Sequence, residues 1–111
     1  MPIQQADYSN INHEEMAAGI GLNVKHIPIL IASFVEETNN AIIKLQDAIS
    51  AKDYEAVHQQ THFIKGSAGN LQFNEIYKMS QEMEHAATNK NPDFDYDGYF
   101  NAIKDAVSTI K

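Results

Sequence analysis

The ten residues HFIKGSAGNL, which begin at His62 and end at Leu71, combine a nucleophilic side chain, a cation and two glycines. A neutral imidazole nitrogen is a nucleophile near physiological pH, and a phosphoryl group attached to it forms a phosphoramidate. Lys65 stands one helical turn after His62, so its ammonium group can offset the negative charge of such an adduct. Glycine inside a helix costs roughly 1 kcal/mol relative to alanine. The pairing of Gly66 and Gly69 with one histidine therefore predicts a bare helix surface that another macromolecule approaches.

Helical geometry divides this stretch into a chemical face and a buried face. Each residue of a helix turns the chain by roughly 100°. The residues that share the side of His62 are Glu55, His58, Lys65, Gly66 and Gly69. The apolar residues on the opposite side are Val57, Ile64, Ala68 and Leu71. The helix is therefore expected to bury its apolar side and to turn His62 toward solvent. A solvated polar face with an inert histidine is the alternative, which the paired glycines and the lysine disfavour.

Apolar residues recur at steps of three and four along most of the chain, as they do in amphipathic helices. The longest stripe runs over residues 27–49, with Pro28 in the first turn, where no intrahelical donor is lost. Residues 50–52 read as a short break, and Asp53 is predicted to cap the helix that carries His62. That helix is expected to run to about Gly69, where glycine and Asn70 favour a stop.

Three further helices complete the prediction. One begins near Asn74 and presents Ile76, Met79, Met83 and Ala86 on one face. After a turn signal at residues 89–92, a last helix carries apolar residues from 99 to 110, and a short leading helix covers residues 11–18. No segment alternates as a strand does. The pattern predicts an all-α fold over residues 1–111, an antiparallel four-helix bundle with a short additional N-terminal helix, as a single domain.

Size and charge narrow the classes of function. The chain has 111 residues, a formal net charge of −7 and no cysteine, so thiol chemistry and disulfides are excluded. An acidic surface is repelled by phosphate backbones, which argues against nucleic-acid binding. The N-terminal residues lack the pattern of a signal peptide, and the longest apolar cluster, residues 27–35, is too short to span a bilayer. We expect a cytoplasmic protein that does not bind a membrane.

The run from His62 closely resembles the phosphorylation motif of histidine-containing phosphotransfer (Hpt) domains, His-x-x-Lys-Gly-Ser-Ala. The resemblance extends over residues 34–87 and implies that His62 is the phosphoacceptor, that Lys65 steadies the phosphoryl group and that Gly66 clears the docking surface. The family often places a glutamine or glutamate on the next helix, hydrogen-bonded to the other ring nitrogen. The matching residue here is Glu84, with Gln81 a weaker candidate. One departure concerns the turn, because the family often has Leu-Gly where this chain has Leu71-Gln72.

The resemblance also implies a function and partners. Such domains relay phosphate between aspartates of response-regulator receiver domains, and we expect receiver domains, a hybrid sensor histidine kinase, or both as partners of a monomer. The docking face is expected to include His58, Gly66 and Gly69 with apolar residues of the preceding helix. The chain has no glycine-rich nucleotide loop and no Walker motif, so a phosphocarrier without a cofactor is predicted rather than an enzyme. Loss of Lys65 is expected to slow transfer more than loss of Glu84.

Two alternatives stand beside this interpretation. His58 and His62 have the i, i+4 spacing that lets two imidazoles share a metal ion, and Glu55 or Glu84 could join them. The glutamate of a zinc-protease helix is missing between them, since residues 59–61 are Gln-Gln-Thr. The other alternative is a helical adaptor that binds a partner through the same face without phosphate. Replacing His62 by glutamine separates an adaptor from a phosphocarrier.

Overall fold

A computed structural model describes all residues from 1 to 111 and contains five α-helices and no strand. The helices are α1 (His13–Ile20), α2 (Ile27–Ser50), α3 (Tyr54–Asn70), α4 (Asn74–Thr88) and α5 (Tyr96–Ser108), with a 3-10 turn, Val24–His26, before α2. The last four form a ring in which α2 and α4 each contact both α3 and α5, while α1 packs against α2. The predicted all-α class is confirmed. Short connections make consecutive helices of this bundle antiparallel.

The interior is built from one apolar stripe of each bundle helix. Side chains with no exposed surface include Leu45, Ile64, Met79 and Ile103, one from each helix of the ring. The α3 residues that the helical pattern placed on the buried side are all buried, namely Val57, Ile64, Ala68 and Leu71. Full burial of such a side chain contributes roughly 1.5–3 kcal/mol. This stripe therefore fixes the rotation of α3 about its axis, and the rotation turns His62 outward.

Local signals set where the helices begin. The side chain of Asp53 accepts a hydrogen bond from the backbone amide of Ala56 at 3.2 Å, as an N-cap does, and confirms the predicted start of α3. Asp95 caps α5 in the same way through the amide of Gly98 at 3.0 Å. Pro28 lies in the first turn of α2. An N-cap of this kind stabilises its helix by about 1 kcal/mol, so these residues place the helix starts without help from the core.

Helices α2, α3 and α4 each end with a residue in the left-handed region that is not glycine. These residues are Lys52, Gln72 and Lys90, with φ values of 54°, 60° and 53°. At the end of α3 the amide of Phe73 donates to the carbonyl of Ala68 at 2.9 Å, and the amide of Gln72 donates to that of Gly69 at 3.2 Å. This is a Schellman motif, which satisfies the last carbonyls of a helix.

The end of α3 differs from the predicted stop. Gly69 and Asn70 still lie inside the helix, and the left-handed turn position is Gln72. The Leu-Gln pair therefore keeps a turn that glycine would favour, at a cost of roughly 1–2 kcal/mol for an L-residue. The side chain of Gln72 donates a hydrogen bond to the carbonyl of Gly19 at 3.1 Å, which ties this turn to α1.

The three-residue turn sets α3 and α4 in a tight antiparallel register. In an antiparallel pair, a step forward along one helix matches a step back along the other. The residue numbers of each facing pair therefore add up to the same value. The pairs are His58 with Thr88, His62 with Glu84 and Gly69 with Tyr77. The register brings side chains that are 22 residues apart in sequence within hydrogen-bond distance.

The segment before α1 contacts the end of the bundle where the α3–α4 turn and the last residues of α5 lie. The backbone amide of Tyr8 donates to Thr109 Oγ1 at 2.8 Å, and its phenol donates to Glu75 Oε1 at 2.5 Å. The Tyr8 ring also meets Phe73 edge to face, with centroids 4.7 Å apart. Contacts from the N-terminal residues therefore hold the α3–α4 turn and the end of α5 together.

The helix α2 is the longest of the chain, with 24 residues. Its buried residues face the bundle, and Ile29 and Ile43 are exposed on its outer side. No single helix has the length and the apolar character that crossing a membrane requires. The stretches His13–Ile20 and Val24–Ser50 meet that requirement only when joined across a bend of 108°.

Candidate functional site

His62 projects from α3 with one ring nitrogen held and the other free. Its Nδ1 lies 2.6 Å from Oε2 of Glu84. A carboxylate offers only lone pairs, so Nδ1 carries the hydrogen and donates it. Nε2 then holds a lone pair, makes no hydrogen bond, and belongs to a side chain that is 68% exposed. The arrangement presents a nucleophilic nitrogen to solvent.

Glu84 comes from α4 and accepts two hydrogen bonds at once. Its Oε2 accepts from His62, and its Oε1 accepts from Lys65 Nζ, also at 2.6 Å, while only 11% of its side chain is exposed. Burial alone would raise the pKa of this carboxyl, but the hydrogen bonds from Lys65 and His62 outweigh burial and hold the pKa below its ordinary value of 4.5. Glu84 is therefore an anion at neutral pH and can fix the tautomer of His62.

Lys65 lies one helical turn after His62, and 23% of its side chain is exposed. Its ammonium group is bound to Glu84 in the unmodified protein, so it neutralises the carboxylate that orients the ring. A charge-assisted hydrogen bond of this kind is short and strong compared with a neutral one. Lys65 and His62 are thereby coupled through one shared acceptor.

His58 lies one turn before His62 and packs beside it. The two imidazole rings are nearly parallel, 10° apart, with centroids 6.0 Å from each other. Nδ1 of His58 is 2.9 Å from Thr88 Oγ1, and its Nε2 is 4.0 Å from Oε2 of Glu84. His58 is therefore part of the same cluster and more than a solvated residue on the same face.

The two glycines of the motif have different surroundings. A Cβ added at Gly66 would meet no heavy atom within 4 Å, so this position is open. A Cβ at Gly69 would lie 3.1 Å from Cδ2 of Tyr77 on α4. Gly69 is exposed, but its missing side chain makes room for a neighbouring ring and serves helix packing. Only Gly66 leaves the surface next to His62 bare.

Comparison with known families supports this geometry. The family model of the Hpt domain matches residues 29–111 of the chain. The chain belongs to the Hpt domain family. The match runs from the first turn of α2 to the last residue and so includes all four helices of the ring. No curated protein and no solved structure matches the chain significantly.

Membership places the cluster in a functional context. Hpt domains are phosphocarrier modules that act in histidine phosphotransfer within phosphorelays. The resemblance drawn from the sequence is confirmed at the level of the family. The residues before α2 lie outside the matched range, although Tyr8 and Gln72 connect them to the bundle.

The structure also separates residues that sequence reasoning had grouped. Gln81, the weaker candidate for the ring partner, is exposed and lines a cleft of about 520 Å³ with Glu82 and His85, away from His62. Glu55 is exposed and makes no hydrogen bond to either histidine. No three histidine, aspartate or glutamate side chains are arranged to hold a metal ion, so the geometry offers the metal alternative no support.

Thr88 belongs to the cluster and was missed by sequence reasoning. Its hydroxyl donates to the backbone carbonyl of Glu84 at 2.9 Å and lies within hydrogen-bond distance of His58. A threonine four residues after the ring partner carries no recognisable signal of its own. Once His62 and Glu84 are taken as a pair, the antiparallel register places Thr88 opposite His58, and that is the signal that could have found it.

Proposed function

We propose that this Hpt domain accepts a phosphoryl group on Nε2 of His62 and relays it between aspartates of response-regulator receiver domains, with a hybrid sensor histidine kinase as a further partner. The observation that carries the proposal is the pairing of His62 Nδ1 with Glu84 Oε2 at 2.6 Å, which leaves Nε2 outward on an exposed side chain. The proposal assigns the roles of phosphoacceptor to His62, charge partner to Lys65 and ring-orienting residue to Glu84.

The chemistry follows from this hydrogen-bond pattern. The lone pair of Nε2 attacks the phosphorus of an aspartyl phosphate, the N–P bond forms, and the P–O bond to the aspartate breaks with its electrons returning to the carboxylate. The ring then carries a positive charge with its Nδ1 hydrogen still directed at Glu84, which stabilises that charge. The reverse reaction delivers the phosphoryl group to another aspartate. The partner supplies the aspartate and its magnesium ion, and positioning dominates the contribution of this domain.

The docking face that we propose surrounds His62 on α3. It includes His58, Gly66 and Gly69, of which Gly66 is the open position. A groove of about 300 Å³ lies between α2 and the last turn of α3, where Leu30 and Phe34 of α2 line it with Leu71. Leu30 keeps part of its apolar surface exposed and suits the approach of a second folded domain, because such surface loses water when covered.

A transfer assay with His62→Gln tests the proposal. Receiver domains from the source cell are phosphorylated and mixed with the wild type or the variant, and acid-labile phosphate on the Hpt chain is measured. The wild type should gain it and the variant should not, while both keep the same circular dichroism spectrum. Equal phosphate on both proteins would remove His62 from the mechanism. Binding of receivers without any transfer to the wild type would favour the adaptor alternative.

A further inference from the structure

His58 is held by a chain of hydrogen bonds that fixes which of its nitrogens carries the proton. The hydroxyl hydrogen of Thr88 is directed at the carbonyl of Glu84, 2.9 Å away. The hydroxyl oxygen must then accept the hydrogen bond from Nδ1 of His58 at 2.9 Å, so the neutral ring bears its hydrogen on Nδ1. The lone pair of Nε2 consequently faces Oε2 of Glu84, 4.0 Å away.

This geometry makes the interaction between His58 and Glu84 depend on protonation. In the neutral ring, a lone pair faces a carboxylate oxygen, which is not attractive. A proton added at Nε2 turns the same contact into an ion pair with Oε2, the atom that also accepts from Nδ1 of His62. It also places a positive charge on a ring whose centroid is 6.0 Å from that of His62.

The orientation of Nε2 argues against a second phosphoacceptor. The nitrogen of His58 that has a lone pair lies 4.0 Å from Oε2 of Glu84, and 42% of the side chain is exposed, compared with 68% for His62. An incoming phosphoryl group would meet the negative carboxylate first. His58 is therefore suited to act on His62 through its own charge, without itself taking the phosphoryl group.

We propose that His58 is a positioning residue whose protonation stabilises phosphorylated His62, by adding a positive charge beside the phosphoryl group while Thr88 holds the His58 ring in place. The proposal rests on the proposed function, since it concerns the lifetime of phosphate on His62. A phosphoryl group carries close to two negative charges at neutral pH, so a neighbouring imidazolium attracts it. Because the effect needs a proton on Nε2 of His58, it should be larger at low pH than at high pH.

The other charged groups near His58 lie on α3 itself and on the two helices that pack against it, α4 and α2. From α4 the ring faces Glu84, and Lys65 of α3 reaches the same carboxylate. On α3 itself, His62 lies one turn after and Glu55 one turn before. Helix α2 packs on the other flank of α3, where Glu37 and Lys44 lie beside Gln59, Gln60 and Phe63.

The test compares phosphohistidine lifetimes across pH. Wild type and His58→Gln are phosphorylated with potassium phosphoramidate, which needs no protein partner, and the decay of the phosphohistidine signal is followed by ³¹P NMR from about pH 8.5 to about pH 5.5, on both sides of the ordinary imidazole range. The ratio of wild-type to variant half-life should be near one at the upper end and rise several-fold at the lower end. A ratio that stays constant across the range would overturn the proposal.

Matched variants separate positioning from a general loss of structure. Thr88→Val removes the hydroxyl that anchors the ring but keeps the imidazole, so its pH profile should lie between those of wild type and His58→Gln, whereas Thr88→Ser keeps the hydroxyl and should behave like wild type. His85→Gln, an exposed histidine on α4 whose ring meets Asn89, should leave the pH profile unchanged. If His85→Gln moved the profile as much as His58→Gln, an unspecific charge effect would replace the proposal. Absence of phosphate on His62 of the wild type would instead contradict the proposed function, and the two failures are thereby distinguishable.

Discussion

Replacement of Glu84 by alanine removes the acceptor of two hydrogen bonds at once. His62 loses the partner of its Nδ1, and Lys65 loses the carboxylate to which its ammonium group is bound. The sequence alone favoured Lys65 as the more important of the two tuning residues. The shared carboxylate changes that expectation, because loss of Glu84 also releases the lysine, and its effect should be at least as large as that of Lys65→Ala.

The structure sets the size of the effect. A hydrogen bond to a charged group contributes about 1.5–3 kcal/mol when it is shielded from water. The His62 side chain is 68% exposed, so solvent screening lowers the expected contribution to about 1–1.5 kcal/mol. Since 1.36 kcal/mol corresponds to a tenfold change in rate, Glu84→Ala should slow phosphorylation of His62 by about five- to twelvefold. Reaction continues because the free ring still adopts the reactive tautomer part of the time.

Initial rates of phosphorylation by potassium phosphoramidate measure this effect without a protein partner. The rates are followed by intact mass at about pH 8, above the ordinary imidazole range. Glu84→Gln is the matched control: it keeps one acceptor oxygen at the same place and removes the charge, so its rate should lie between those of wild type and Glu84→Ala. His62→Gln should react more slowly than the wild type and measures the background from the other four histidines. Circular dichroism and thermal unfolding establish that each variant is folded.

Two results would refute the reasoning. A wild-type rate for Glu84→Ala would mean that the hydrogen bond to Nδ1 does not prepare His62 for attack. Complete loss of phosphorylation in a folded Glu84→Ala protein would mean that the carboxylate does more than orient the ring. A direct check is the tautomer of His62, which long-range ¹⁵N–¹H NMR spectra report: Nδ1 should carry the hydrogen in the wild type and do so less completely in Glu84→Ala.

Four further predictions follow from the same structure. Gly66→Gln should keep the fold, since a Cβ there meets no atom within 4 Å, yet slow transfer from a phosphorylated receiver domain; an unchanged transfer rate would contradict the steric argument. Lys90→Gly should raise the free energy of unfolding in urea by about 0.5–1 kcal/mol, because the residue has a φ of 53°, and no gain would show that this turn is unstrained. Thr38→Val should stabilise by about 1 kcal/mol, because its fully buried hydroxyl has no hydrogen-bond partner, and a destabilised variant would reveal one. The free energy of unfolding should fall as the pH drops below 4.5, because the pKa of Glu84 is lower in the folded protein than in the unfolded chain. The ionised carboxylate then stabilises the folded state above pH 4.5, and this contribution is lost as the pH falls through the folded pKa; Glu84→Gln should flatten this part of the profile.

The sequence by itself determined the helices and the outward direction of the phosphoacceptor. Helix periodicity and the Asp53 cap are local signals, and the buried stripe through Ile64 leaves His62 only the solvent side. The motif identified the family, because the histidine, the lysine and Gly66 lie within four residues of each other. A signal of this kind acts within about one helical turn and needs no knowledge of the neighbouring helix.

Tertiary structure decided what else stands around the ring. The family resemblance had already paired Glu84 with His62, but the second hydrogen bond of Glu84, from Lys65, depends on the register of α3 and α4. The turn at Gln72 sets this register with a φ of 60°, a conformation that a glutamine does not predict. A shift of that turn by one residue would rotate α4 by roughly 100° and carry the carboxylate away from the histidine. Thr88 enters the cluster through the same register. Gly69 also shows the limit of pattern reasoning, because two glycines that look alike in the motif differ only in whether Tyr77 fills the space beside them. Contacts between helices depend on how whole stripes interlock, and no local spacing specifies that.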